Sequence, residues 1–248
     1  MLATTPSHTQ RLQHAFDRSV TDLRRAIDSL GDSDRRRAQA IATWFDGFAV
    51  EQRAHLQSVA ELVIPTIARR REQQADELAE IVADHHCAVD EAIDDLSVAL
   101  ARLASRVQPW AFNHDRAIDA VHRLEAATHR SNAVEADAVL PVMAMLHPSE
   151  LYDIELRTAA LTPVRHAAFA CPWLVSSLHP GEREQILAGA PRPMRIMWSL
   201  SQRRYARLVE AAFGPATRRH LAVVPDLPTI TPIPQPVPAD RTLHLVTA

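Results

Sequence analysis

The sequence predicts an all-α fold, and three observations carry that prediction. Glycine is scarce, at 5 of 248 residues, and aromatics make up only 5% of the chain, a thin supply for a β-rich protein with tight turns. Ala, Leu, Arg, Glu and Gln, which lose little on entering a helix, are abundant. Apolar side chains also recur at spacings of three and four through four long stretches, separated by short breaks.

The first stripe is Leu12, Phe16, Val20, Leu23, Ile27 and Leu30, and it predicts a helix over residues 9–30. Gly31-Asp32-Ser33 ends it, with glycine as the C-terminal cap and Asp or Ser able to cap the next helix. The second helix is predicted over 34–70, with Ile41, Phe45, Phe48, His55 and Leu62 in line. The third covers 72–107 through Leu78, Val82, Val89, Ile93, Leu96 and Leu100. Gln108-Pro109-Trp110 breaks the chain. The fourth covers 112–146 through Ile118, Val121 and Leu124, with Thr128 as the one weakly polar member of its line.

Four long amphipathic helices joined by short connections describe an up-down-up-down four-helix bundle over residues 1–147. Pro65 and Pro141 fall inside helical patterns and predict a kink or the end of a straight segment. Residues 148–214 open with Pro148-Ser149-Glu150 and read as a smaller extension of three or four shorter helices. Residues 215–248 include VVPDLPTITPIPQPVP, with six prolines in sixteen residues, and read as an extended, largely disordered tail.

Bulk chemistry narrows the function. A net charge of −3 gives no basic face for nucleic acid, and the short clusters at 35–37 and 68–71 read as solvated arginines. The two cysteines, Cys87 and Cys171, lie far apart, which suggests a reducing compartment without a disulfide framework. No run of 18 apolar residues predicts a membrane span, and MLATTPSHTQ carries no signal-peptide pattern. A cytoplasmic protein is the expectation.

The chemistry concentrates in one word used twice. HLQSVAELVIP at 55–65 and SNAVEADAVLP at 131–141 have the same length and the same apolar-apolar-Pro ending. The first positions are His55 and Ser131; the fifth are Val59 and Glu135. His55 is seven residues from both Phe48 and Leu62, and Val59 is one turn further on, so both face inward. Ser131 is seven after Leu124, and Glu135 is one turn beyond it. In the third helix His86 has Val82, Val89 and Ile93 on its face, whereas His85 keeps polar Glu77 on its own; His86 is favoured as the inward one. In the first helix Gln13 occupies the interior register. His122 and His129 lie nearly opposite Ser131 and are discounted. A buried carboxylate must be paired, protonated or metal-bound, because desolvation otherwise costs several kcal/mol. Three such groups at one level suggest a site, and desolvation tends to raise the pKa of Glu135, enough that it could carry a proton at neutral pH.

The twice-used helix words, His-x-x-Val-x-x-x-Ile in the third helix and QHAFDRSVTDL in the first resemble the hemerythrin family, the HHE cation-binding domains, over residues 9–146. LHPSELYDI and PRPMRIMWSLSQRRYARLVEAAFG resemble the helical C-terminal extension of actinobacterial members. The resemblance implies a non-haem di-iron pair with histidines from every helix and bridging carboxylates from the second and fourth. Carried over by position, the first-helix histidine is Gln13, and the second helix keeps His55 but has Val59 for its carboxylate. The third keeps His86 (or His85). The fourth has Ser131 for its histidine and keeps Glu135. Three of these six positions have lost their ligand, whereas a di-iron site in a helical bundle needs roughly six protein donors.

Three functional expectations emerge. One is a hemerythrin-like protein with an atypical or single-metal site of His55, His86 and Glu135, holding iron or another divalent metal for oxygen, nitric oxide or peroxide chemistry. A second is a metal-free bundle that binds or transforms a small organic molecule. There Glu135 acts with His86 or His55 as acid and base, and Gln13, Val59, Ser131 and His85 line the pocket. The third is a regulatory protein that docks a protein partner through the extension, with Trp173, Trp198 and Tyr205, or through the tail. No nucleic acid or membrane partner is expected.

Overall fold

The computed structural model describes residues 8–69, 72–105, 109–190 and 192–214, so the expected Pro-rich tail lies outside the described residues. Every regular element among them is helical. Four long helices come first: α1 (His8–Asp28), α2 (Arg35–Ser58), α4 (Glu72–Ala104) and α5 (Trp110–Val134). Short α3 (Ile64–Ala68) and α6 (Leu140–Met143) continue α2 and α5 respectively. The extension holds α7 (Pro148–Leu161), a 3₁₀ turn at Val164–His166, α8 (Ala167–Ser177), α9 (Pro180–Gly189) and α10 (Arg192–Phe213). No helix among the described residues is long and apolar enough to cross a membrane.

The predicted stripes are the buried faces. Phe16, Val20, Leu23, Ile27, Ile41, Phe45, Phe48, Ile93, Leu96, Leu100, Val121 and Leu124 are all fully enclosed. α1 packs on α2 and α5, and α4 packs on the same two helices, so the four faces share one interior. At roughly 25 cal/mol per Å² of apolar surface removed from water, this burial is the main term favouring the fold.

Both prolines sit within continuing helix, and the same device precedes each. Val59–Val63 and Glu135–Val139 are π-helical. The Ile64 N–H bonds the Val59 carbonyl, and the Leu140 N–H bonds the Glu135 carbonyl, five residues back in each case. Proline in an α-helix lacks an N–H and pushes against the carbonyl four residues back. The wider turn moves that carbonyl row aside, so the helix passes Pro65 and Pro141 instead of stopping. The repeated word is thus a repeated π turn, and its fifth residue, Val59 or Glu135, opens it.

The extension shares the core of the long helices. Trp173, Tyr205, Val209 and Ala212 belong to the same apolar cluster as Phe16, Phe45 and Phe48. Trp173 Nε1 donates to Ser19 Oγ at 2.9 Å, and Trp44 Nε1 donates to Tyr205 Oη at 3.2 Å. Trp198 packs with Val175 and Leu187 within the extension. α7 opens with a capping box: the Glu150 carboxylate accepts from the His147 N–H, and His147 Nδ1 accepts from the Ser149 N–H.

A second apolar cluster gathers at the proline end, with Val59, Leu62, Val63, Leu78, Val82, Val139 and Val142. Along α2, α4 and α5 the two clusters are separated by one polar level, which holds His55, His86 and Ser131 to Glu135.

Candidate functional site

Four helices bring Gln13, His55, His86 and Glu135 together at that level. Glu135, at the mouth of the second π turn, is 1% exposed. Its Oε2 accepts from Gln13 Nε2 of α1 at 3.0 Å and lies 2.9 Å from His55 Nε2 of α2. Its Oε1 lies 3.2 Å from His86 Nε2 of α4. Gln13, His55 and His86 are themselves buried. Asn132, beside Glu135 in sequence, secures the α1 backbone by donating to the Gln13 carbonyl at 3.2 Å and to Asp17 Oδ1 at 2.8 Å.

The electrostatics differ from the protonated Glu135 that burial alone suggests. Desolvation does push the carboxyl up, but the His55 charge and the hydrogen bonds from His55, His86 and Gln13 outweigh it and hold Glu135 well below the usual carboxylate range. For His55, burial favours the neutral ring, and the Glu135 charge and hydrogen bond reverse that, so its pKa is raised. Glu135 is an anion and His55 tends to its cation. Each Nε2 facing the carboxylate is therefore a donor, and neither nitrogen presents a lone pair to that side.

The remaining predicted residues fall on both sides of this network. Val59 is buried and lines a cavity of about 90 Å³ together with His55, Ser58 and Leu151. Ser131 is 1% exposed, and its hydroxyl has no partner among the described residues. His85 is only half-buried and lines neither cavity beside His55; the inward histidine is His86. Sequence reasoning missed Gln52, fully buried with both amide atoms unpartnered among the described residues, as is the Thr128 hydroxyl. Its signal was legible: four residues after Phe48 and three before His55. A buried polar atom left without a partner costs on the order of 1–3 kcal/mol.

It also missed the cleft. A largely apolar cavity of about 420 Å³ opens between α2 and the extension, with Ala54 and His55 on one wall and Thr158, Ala167, Ala170 and Leu174 on the other. His55 thus holds Glu135 through Nε2 while lining the cleft, and Nδ1 has no hydrogen-bond partner among the described residues. Glu51, which lines the cleft, has Oε1 2.8 Å from His166 Nε2 of the 3₁₀ turn, where neither atom completes a hydrogen bond among the described residues.

The di-iron pair implied by the family resemblance requires two carboxylates between its ions. Glu135 is one; the other position is the hydrocarbon Val59, which packs with Leu62 and Val63. Among the described residues no group of three or more His, Cys, Asp or Glu side chains is arranged to hold a metal ion. The residues do not fit a di-iron pair. Comparison with known proteins returned no matching family model, no matching curated protein and no matching solved structure.

Proposed function

We propose that this chain is an up-down-up-down four-helix bundle of hemerythrin-like arrangement whose cleft between α2 and the extension serves a small organic molecule. The supporting observation is the double role of His55, which is hydrogen-bonded to buried Glu135 at 2.9 Å and forms part of the wall of a 420 Å³ cleft. A cavity of that size lies within the ~300–1,000 Å³ usual for small-molecule sites. Glu135 fixes the ring and carries the compensating charge, so His55 exchanges a proton with a bound molecule through Nδ1. The His55 charge and the hydrogen bonds from His55, His86 and Gln13 keep the carboxylate ionised. Positioned proton transfer of this kind contributes about 10²–10⁴-fold to a rate.

A second reading rests on a different feature of the same level: two imidazoles and one carboxylate meet there, the donor set of many single-metal sites. Elemental analysis of freshly purified protein, paired with small-molecule binding in chelator, separates the two. The first reading expects ligand affinity retained in chelator and lost in His55→Gln. Stoichiometric iron, manganese or zinc that disappears on changing His55, His86 or Glu135 overturns it in favour of the second.

A further inference from the structure

The two cavities beside His55 share a wall made by Leu12, His55, Glu155 and Thr158. Beyond that wall the larger one is lined by hydrocarbon, chiefly Ala54, Ala167, Ala170, Leu174 and Met194. Apart from His55, whose charge is compensated by Glu135 behind it, the charged groups on the lining are carboxylates. No Lys or Arg lines either cavity among the described residues, whereas Glu51 and Glu155 do. Glu51 Oε1 lies 2.8 Å from His166 Nε2. Glu155 has no ion-pair partner among the described residues, and it lines the shared wall along with His55.

We propose that the cleft binds amphiphilic amines, with the ammonium group at Glu155 and Thr158 and the hydrocarbon along the wall of α8. The inference rests on the reading of the cleft as a small-molecule site and names the class of molecule. The apolar wall takes up hydrocarbon, and the exposed Glu155 gives a head of opposite charge a partly solvated partner. Both carboxylates on this lining are negative and Glu155 has no ion-pair partner among the described residues, so an ammonium head is attracted, a carboxylate head is repelled and a hydroxyl head is indifferent. The same placement brings the carbon bearing the amine to the His55 side of the cleft.

The test is calorimetric titration of the full chain at pH 7 and low salt with octylamine, octanol and octanoate. The proposal expects octylammonium to bind about fivefold tighter than octanol, the scale of one partly exposed ion pair, with octanoate weakest. Glu155→Gln, at an exposed position, should erase the ammonium preference and leave octanol unchanged, and added salt should shrink the preference. Ala170→Trp, with Ala54→Trp as a second obstruction, should block all three probes. Equal affinity for octylammonium and octanol, or a preference that survives Glu155→Gln, overturns the amine assignment while the cleft stands. Failure of all three probes to bind overturns the assignment and the cleft reading together.

Discussion

Glu135 is the residue on which the chemistry turns, and its state is set by neighbours far away in sequence: Gln13, His55 and His86. Removing the charge leaves three donors facing a poorer acceptor in a dry interior. Glu135→Gln should cost roughly 3–5 kcal/mol, as breaking a buried pair does, measured by urea unfolding. The pH dependence has a definite sign. The raised His55 makes its contribution complete below the ordinary value of 6.5, and that contribution is lost as pH rises through the folded value. The lowered Glu135 makes its contribution complete above the ordinary 4.5, and that contribution is lost as pH falls toward the folded value. These are two views of one interaction, so the stability gap between wild type and Glu135→Gln should be widest between about pH 4.5 and 6.5; a gap independent of pH contradicts the pairing. Replacing Gln13, His55, His86 and Glu135 together by apolar residues of similar volume should restore stability, since buried ion pairs give little net stabilisation over hydrocarbon, while abolishing ligand binding. The inward register of all four residues was legible from helical spacing. The ionised state of Glu135 was not, because the donors that reverse the effect of burial come from three other helices.

At the scale of elements, the helical stripes were legible because burial of one face dictates a period of 3.6 residues. The prolines were legible only in part. Pro65 and Pro141 announce a missing N–H, but a kink, a stop and a π turn all answer that deficit, and local sequence does not choose among them. The π turn implies a specific epistasis. Deleting the exposed Asp137 returns Glu135–Val139 to α-helical length and puts Pro141 against the carbonyl four residues back. That deletion should cost about 3 kcal/mol alone and much less with Pro141→Ala, by the difference in unfolding free energies. Equal cost in both backgrounds means that the wide turn does not serve the proline.

At the scale of the whole molecule, the extension closes on α2 and shares the core of the long helices. Gly47 marks that approach: a Cβ there would lie 2.6 Å from ring carbons of Phe169. Gly47→Ala should therefore destabilise by about 1–3 kcal/mol, the usual cost of overpacking, and trimming Phe169 to leucine should recover part of it in thermal unfolding. Nothing in the sequence shows that a glycine inside α2 receives an aromatic ring from residue 169, and for the same reason the cleft was not legible: its walls are more than 100 residues apart. The cleft and the buried carboxylate meet at one side chain, His55. The most direct test of that junction is the titration of the His55 imidazole, followed by NMR in the intact chain. The midpoint should lie above 6.5 in the wild type and drop below it in Glu135→Gln, where burial acts unopposed; the same midpoint in both proteins would contradict the account.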